Sequence, residues 1–329
     1  MIFPVLFTSL SALLSPLRVP MTSLLLALNL LVFVVTLQQF ERIDSELDTL
    51  MDDHAFMEVQ GMAFSVMIDR EPVHFSKFLI TLAKRALNGE RDSRRILGSL
   101  AIRNFEFMSR AERYEFAGDE LALKKWRGRF LELKALEAEH PSYLWGLSRS
   151  KGGLIQYISY QFAHSGLVHL FWNMIFLVIF GAFIELNLGA SFVVLAYVGS
   201  GVAGAVVFSK LSGISAAPLV GASAAVSGLM ALVGVVWLKK EKLNFFFWLL
   251  PVQGYFGFVP LPSWLILFVS LLPDVSGYLG GSFEFGSVAH SAHIGGAAFG
   301  AVMGAAILLG LLQSEIDPAL PPTPPTRVA

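Results

Sequence analysis

The sequence GASAAVSG, residues 221–228, begins a long apolar segment that continues to Leu238. Glycine and alanine leave room around one hydroxyl, that of Ser223, at the start of a predicted membrane helix. A polar group in lipid costs free energy unless it is paired or reaches water, so Ser223 is a candidate functional residue. Small residues also pack helices together in lipid, and Ser223 taken alone is consistent with that simpler role.

The composition places the chain in a lipid bilayer. Of its 329 residues, 55% are hydrophobic and only 15% are charged, with a mean hydropathy of +0.63 and a net charge of -1. Several apolar runs reach about 20 residues, the length that crosses a bilayer. We therefore predict an all-α polytopic membrane protein. The balanced charge gives no indication of nucleic-acid binding. Because the chain has no cysteine, a thiol nucleophile and cysteine-ligated metal are excluded.

Charged and apolar residues divide the chain into five predicted parts. These are an interfacial segment at 1–20, a first span at 21–39, an insert at 40–152, a membrane core at 153–312 and a Pro-rich tail at 313–329. Most charged residues fall in the insert, which we predict to be soluble, extracytoplasmic and mostly helical. One of its segments repeats apolar residues at helical spacing: Leu123, Trp126, Phe130 and Leu133. The tail is predicted to be disordered.

Five further spans are predicted in the membrane core, and a short basic loop orients them. The spans are 166–187, 191–211, 220–238, 246–271 and 287–312. Lys239, Lys240 and Lys242 lie between the fourth and fifth of the six spans, and the positive-inside rule places them in the cytoplasm. Both termini are then cytoplasmic, and spans two, four and six begin at the outer surface.

Four polar side chains then share one depth, within about 12 Å of the outer surface at about 1.5 Å of helix rise per residue. They are His169, Asn173, Ser223 and His293. A serine hydroxyl becomes a good nucleophile when a base removes its proton. His293 can be that base if spans four and six touch. Glycines on the His293 face of span six permit close contact in lipid: Gly296, Gly300 and Gly304.

His169 and Asn173 lie four residues apart and project from one helix face. Both can donate hydrogen bonds to a developing oxyanion, together with the backbone N–H of Ser223. Glu185 is the only carboxylate that we place well within a span, and it lies at the opposite end of span two. We therefore predict a Ser–His dyad without an acidic member, and no metal or cofactor.

Three motifs resemble those of the rhomboid intramembrane serine proteases: HSGLVHLFWN at 164–173, GASA at 221–224, and AHIGG at 292–296 followed by Gly300. The resemblance covers about residues 146–312. It implies a six-helix rhomboid-like transmembrane bundle with the insert between the first and second spans, in a bacterial-type inner membrane. It also implies a role for each motif residue: Ser223 as nucleophile, His293 as base, His169 and Asn173 as oxyanion stabilisers, and His164, Gly221, Gly296 and Gly300 as structural support.

Three features depart from the family pattern. Ala224 stands where glycine is common, and Ser227 where an aromatic residue is common. The Trp-Arg pair in the first loop of some members has no clear match, and Trp145-Gly146 is the nearest. The substrates implied are single-pass transmembrane proteins, cut near the outer membrane boundary. The main alternative is a catalytically inactive relative that binds membrane clients. A transporter or channel is a weaker alternative, since few charges lie within the spans. Metal-dependent intramembrane proteolysis is disfavoured because no H-E-x-x-H motif occurs.

Overall fold

The structure, a computed structural model, describes residues 2–4, 16–116, 119–148, 153–211, 217–238, 243–248, 256–279 and 289–311. These residues are mostly helical, as predicted. The chain divides into two compact units. One unit comprises residues 1–34, 154–212 and 219–329, and the other comprises residues 35–153 and 213–218.

The first helix is longer than the predicted span. Helix α1 runs without a break over Pro20–Met51. Past residue 39 it continues an apolar face, on which Ile43 is 0% and Leu50 is 2% exposed. The helices that follow in the second unit are α2 His54–Arg70, α3 Lys77–Leu87, α4 Arg91–Ile102, α5 Phe105–Arg110, α6 Glu120–Glu139 and α7 Pro141–Trp145, with a 3-10 turn at Pro72–His74.

The second unit has its own hydrophobic core, in which aromatic rings pack among aliphatic side chains. The amphipathic helix predicted around Trp126 is confirmed as α6, which buries Trp126, Phe130 and Leu133. The rings of Phe107 and Phe130 lie 5.9 Å apart between centroids, in an edge-to-face arrangement. Helix α6 starts where the side chain of Asp119 accepts hydrogen bonds from the first free backbone N–H groups.

The first unit contains the start of α1 and all of the remaining helices. They are α8 Gln156–Ser159, α9 Leu167–Phe176, α10 Ala182–Leu188, α11 Ala190–Leu211, α12 Ser223–Val236, α13 Trp264–Leu279 and α14 His290–Leu308. A 3-10 turn at Tyr160–Phe162 follows α8, and a π-helical turn at Leu177–Gly181 makes α9 and α10 continuous. In the described part of the chain, four helices are long and apolar enough to cross a membrane: Pro20–Met51, Leu167–Leu188, Ala190–Leu211 and His290–Leu308. Helices α12 and α13 are apolar but shorter.

The prediction that residues 246–271 form the fifth membrane-spanning helix was wrong. Its first part forms a β-hairpin, β2 Leu243–Trp248 and β3 Phe256–Leu261, and β1 Ile2–Pro4 pairs with β2 in an antiparallel sheet of order β1-β2-β3. The helix, α13, begins at Trp264 and continues to Leu279. Aromatic residues favour strands, and the prolines and glycines between them interrupt a helix. Residues 246–271 are therefore numerous and apolar enough for a membrane helix, but their prolines and glycines disfavour one continuous helix.

Some predicted features lie outside the described residues. They are most of the interfacial segment at 1–20, the basic loop of Lys239, Lys240 and Lys242, the start of the predicted sixth span and the Pro-rich tail at 313–329.

Helix α12 is the centre of the first unit. It packs most extensively against α14, and also against α11 and α13. Apolar residues on nearly all its faces are buried, among them Ala225, Leu229 and Val233. A helix that is apolar all round is typical of a protein core or of a membrane span. The neighbours of α12 fix the position of its first residue, Ser223.

Glu185 anchors the start of the first helix. One oxygen of its carboxylate accepts a hydrogen bond from the backbone N–H of Met21 at 2.8 Å. The other accepts from the backbone N–H of Thr22 at 2.8 Å and from its hydroxyl at 2.7 Å. The first N–H groups of a helix have no partner within the helix, and a negative charge there is favourable. The carboxylate therefore joins the end of α10 to the start of α1.

We expect Glu185→Ala to lower the free energy of unfolding by at least about 2 kcal/mol, because each buried donor left without a partner costs about 1–3 kcal/mol. Thermal unfolding in detergent measures the loss. Glu185→Gln keeps one carbonyl acceptor and should be intermediate. An alanine variant that unfolds at the wild-type temperature would show that the anchor contributes nothing.

Candidate active site

Ser223 and His293 are in direct contact. Ser223 is the first residue of α12, and His293 lies in the first turn of α14. The Oγ of Ser223 is 2.8 Å from Nε2 of His293, a hydrogen-bonding distance. Both residues are partly exposed. The hydroxyl can donate to the ring nitrogen, which is the arrangement that a general base needs to activate a nucleophile.

Glycines bring the two helices this close. A Cβ on Gly296 would overlap the carbonyl oxygen of Ala224, and one on Gly300 would overlap the carbonyl oxygen of Gly228. The contact between spans four and six that was expected from the glycine spacing is therefore present. At Gly296 and Gly300, α14 therefore has no side chain where it lies closest to the backbone of α12.

The expectation that His293 lacks an acidic partner was wrong. Asp274 on α13 places Oδ1 2.8 Å from Nδ1 of His293, the ring nitrogen opposite the one that meets Ser223. Ser223, His293 and Asp274 thus form a continuous line of hydrogen bonds across three helices. The Asp274 side chain is only 10% exposed. A buried carboxylate needs partners of this kind.

Asp274 was missed because the predicted fifth span ended at residue 271. Pro273 precedes Asp274, and proline ordinarily ends a helix since it lacks the N–H and clashes with the preceding turn. Membrane helices tolerate proline better, and α13 passes through Pro273 to Leu279. The available signal was a lone carboxylate in the apolar sequence LLPDVSGYL, residues 271–279.

A second histidine shares the same carboxylate. Nδ1 of His290, one turn before His293, lies 2.8 Å from Oδ1 of Asp274. The His290 ring rests on Gly277, where a Cβ would lie 2.6 Å from Cε1 of the ring. Gly277 therefore supplies the space that the second histidine occupies.

These three residues could also hold a cation. Asp274, His290 and His293 each present one ligand atom, and these atoms lie within 4.8 Å of one another. Histidine nitrogen and carboxylate oxygen are ligands that zinc accepts. Both ring nitrogens already lie at hydrogen-bonding distance from one carboxylate oxygen, so the cluster is also complete as a hydrogen-bond network.

The segment before Ser223 is held from below by His164. The backbone N–H of Ala222 donates to Nε2 of His164 at 3.4 Å, and Nδ1 of His164 lies 3.3 Å from the carbonyl oxygen of Phe162. Gly221 donates its N–H to the carbonyl of Tyr160 at 2.9 Å. Gly221 has a φ of 111°, a conformation that favours glycine. These contacts fix the turn that delivers Ser223 to the start of α12.

His169 and Asn173 lie in the first two turns of α9. The His169 ring lies against Gly221, where a Cβ would be 2.6 Å from Cε1 of the ring. Its Nδ1 is 3.2 Å from the hydroxyl of Ser165. Asn173 is 6% exposed, and its amide nitrogen donates to the carbonyl oxygen of His169 at 3.0 Å. The structure therefore brings His169 next to the Ser223 turn, while the Asn173 amide is bonded to its own helix.

The two unusual positions have different surroundings. Ala224 is fully buried, and its methyl group faces Gly204 of α11, where a Cβ would lie 2.7 Å away. The glycine of α11 thus makes room for the extra methyl group. Ser227 lies one turn beyond Ser223 and is 9% exposed. The described hydrogen bond of Nε2 of His293 goes to Ser223.

Comparison with known families gives one match. Residues 151–310 match the family model described as the Rhomboid domain. This range contains every residue of the site, from His164 to Gly300. No curated protein matches the chain.

Proposed function

Because this chain belongs to the rhomboid family through its domain at residues 151–310, we propose that it is a serine endopeptidase that cleaves transmembrane proteins. The observation that carries the proposal is the 2.8 Å hydrogen bond between Oγ of Ser223 and Nε2 of His293. The two residues lie at the starts of two closely packed apolar helices. An inactive relative has no need to maintain this bond, which spans 70 residues of sequence.

The chemistry follows from the roles of the two side chains. As Ser223 attacks the carbonyl carbon of the scissile bond, its proton passes to Nε2 of His293. His293 then gives that proton to the leaving amine, and an acyl-enzyme on Ser223 remains. A water molecule, deprotonated by His293, hydrolyses the acyl-enzyme and restores the serine. The reaction needs no cofactor.

His169, Asn173 and the backbone N–H of Ser223 are the proposed oxyanion donors. The N–H of Ser223 belongs to the first turn of α12, where backbone donors lack partners within the helix. His169 already lies against Gly221. The Asn173 amide has two N–H donors; one bonds to the carbonyl oxygen of His169, and the other is the proposed oxyanion donor. Donors fixed before the reaction stabilise the developing charge most effectively.

The proposed architecture is the six-helix rhomboid bundle, with α1, the continuous α9 and α10, α11, α12, α13 and α14 as its spans. Residues 40–152 form the extracytoplasmic insert, and both termini are cytoplasmic, in a bacterial-type inner membrane. The substrates are single-pass proteins whose helix unwinds near the outer boundary, since a peptide bond inside a helix is protected by its own hydrogen bonds.

Reconstitution tests the proposal. The purified protein is placed in proteoliposomes with a single-pass reporter whose transmembrane segment contains glycine or proline, residues that lower the cost of unwinding. We expect two fragments, with the cut near one membrane boundary, and none with His293→Ala. Stable capture of the intact reporter by the wild type without cleavage would favour the inactive, client-binding alternative.

The proposed orientation can be checked with single thiols, because the chain has no cysteine. Gly166 precedes α9, and a Cβ there meets open space. We expect a membrane-impermeant thiol reagent to label Gly166→Cys from the outer face of the bacterial inner membrane. Leu311→Cys, at an exposed position past the end of α14, is the matched control for the inner face. The reverse labelling pattern would overturn the topology.

A further inference from the structure

We propose that Asp274 is a positioning residue that extends the Ser223–His293 pair to a Ser–His–Asp triad, with His290 fixing the carboxylate. The inference rests on the proposed proteolytic function and adds a third member that the motifs do not contain. Three observations support it: the line of hydrogen bonds, the burial of the carboxylate, and the space reserved for His290.

The two hydrogen bonds of His293 have complementary roles. A carboxylate only accepts hydrogen bonds, so Nδ1 of His293 carries the proton on the Asp274 side. Nε2 is then unprotonated and accepts from Ser223. This is the tautomer that a general base must have. Without Asp274, the opposite tautomer would place a proton between Nε2 and the serine.

The carboxylate also balances the charge that forms during the reaction. When the proton of Ser223 moves to Nε2, the His293 ring becomes positive while Asp274 stays ionised and keeps its hydrogen bond to Nδ1. The proton leaves again from Nε2 to the amine, so none passes to Asp274. Because the Asp274 side chain is only 10% exposed, little water competes for this interaction.

His290 holds the carboxylate rather than the substrate. Its Nδ1 reaches the same oxygen, Oδ1, at 2.8 Å, and its described hydrogen bond goes to Asp274. Both histidines project from the first turn of α14, and the carboxylate reaches them from α13. The absence of a side chain at Gly277 lets the His290 ring approach α13. Two donors thus hold one oxygen of Asp274, and the carboxylate cannot turn away from His293 without also losing its hydrogen bond to His290.

The test compares isosteric variants in proteoliposomes, with rates expressed per active site titrated by a fluorophosphonate. For Asp274→Asn we expect kcat to fall by roughly 10²- to 10⁴-fold, as loss of the acidic member does in other serine proteases. KM should change little, and the rate of fluorophosphonate labelling should fall with kcat. Asp69→Asn, an exposed change in the second unit, is the matched control and should behave as wild type.

His290 provides a rescue experiment. The amide nitrogen of asparagine can replace Nδ1 as a donor, whereas alanine cannot. His290→Asn should therefore retain most of kcat, and His290→Ala should lose roughly three- to tenfold, the size expected for one hydrogen bond of about 1 kcal/mol. A purely structural role would instead reduce the number of titrated sites and leave kcat per site unchanged.

Three results would overturn the inference. If Asp274→Asn kept the kcat of the wild type per titrated site, the carboxylate would not assist the reaction. Cleavage of the reporter by the wild-type protein in the same assay would then leave the proposed function intact. Activity lost with a chelator and restored by Zn²⁺ would make the cluster a metal site. A wild type that neither cleaves the reporter nor takes the probe would overturn the proposed function, and this inference with it.

Discussion

Ser223→Ala should lower the cleavage rate of a transmembrane substrate by at least about 10⁴-fold, because no other group can form the acyl-enzyme once the nucleophile is removed. The loss of one hydroxyl at a partly exposed position changes packing little, so the variant should remain folded and inserted. The measurement is initial cleavage rate in proteoliposomes, with thermal unfolding recorded on the same samples.

Ser227→Ala is the matched control. It removes the same hydroxyl one turn deeper in α12, at a position that is 9% exposed. His293 already pairs with Ser223 through Nε2, so the second hydroxyl is not needed for proton transfer. We expect measurable cleavage by Ser227→Ala. If Ser227→Ala were inactive and Ser223→Ala active, the nucleophile would lie one helical turn inward.

Gly296→Val should disrupt the site by disturbing the packing of α14 against α12. A Cβ at 296 would overlap the carbonyl oxygen of Ala224, a backbone atom that cannot move away as a side chain can. Overpacking a tight interface costs typically about 1–3 kcal/mol, and a clash with backbone belongs at the upper end or beyond it. Forcing α14 away from α12 also separates His293 from Ser223. We expect lower thermal stability and loss of fluorophosphonate labelling.

Ala298→Val is the control for this change, since it adds side-chain volume to the same helix at an exposed position. It should unfold close to the wild-type temperature and keep its labelling rate. If Gly296→Val behaved like Ala298→Val, the close approach of the two helices would not be what holds the site together.

The sequence was most informative where the spacing of glycines or of apolar residues indicates the contact face of a helix. Glycines at helical intervals after His293 predicted a close contact between two helices, and Gly296 and Gly300 lie at that contact. The apolar spacing around Trp126 predicted helix α6. The rhomboid resemblance drawn from three short motifs is confirmed by the family match at residues 151–310.

The sequence was least informative where a residue acts through a distant partner. Asp274 becomes significant only when α13 lies beside α14, and Pro273 obscured the helix that carries it. Likewise, the sequence alone did not show what makes room for Ala224, whose methyl group lies opposite Gly204 of α11. The hairpin of β2 and β3 was hidden because hydropathy does not distinguish an apolar strand pair from an apolar helix.

The proposed mechanism requires that His293 activate Ser223 as the nucleophile. The most direct measurement is to treat the folded wild-type protein with a fluorophosphonate and to locate the phosphonyl group by mass spectrometry within residues 221–228. We expect the adduct on Ser223, and its loss in His293→Ala. An adduct on Ser227, or cleavage of the reporter by a protein that never carries an adduct on Ser223, would contradict it.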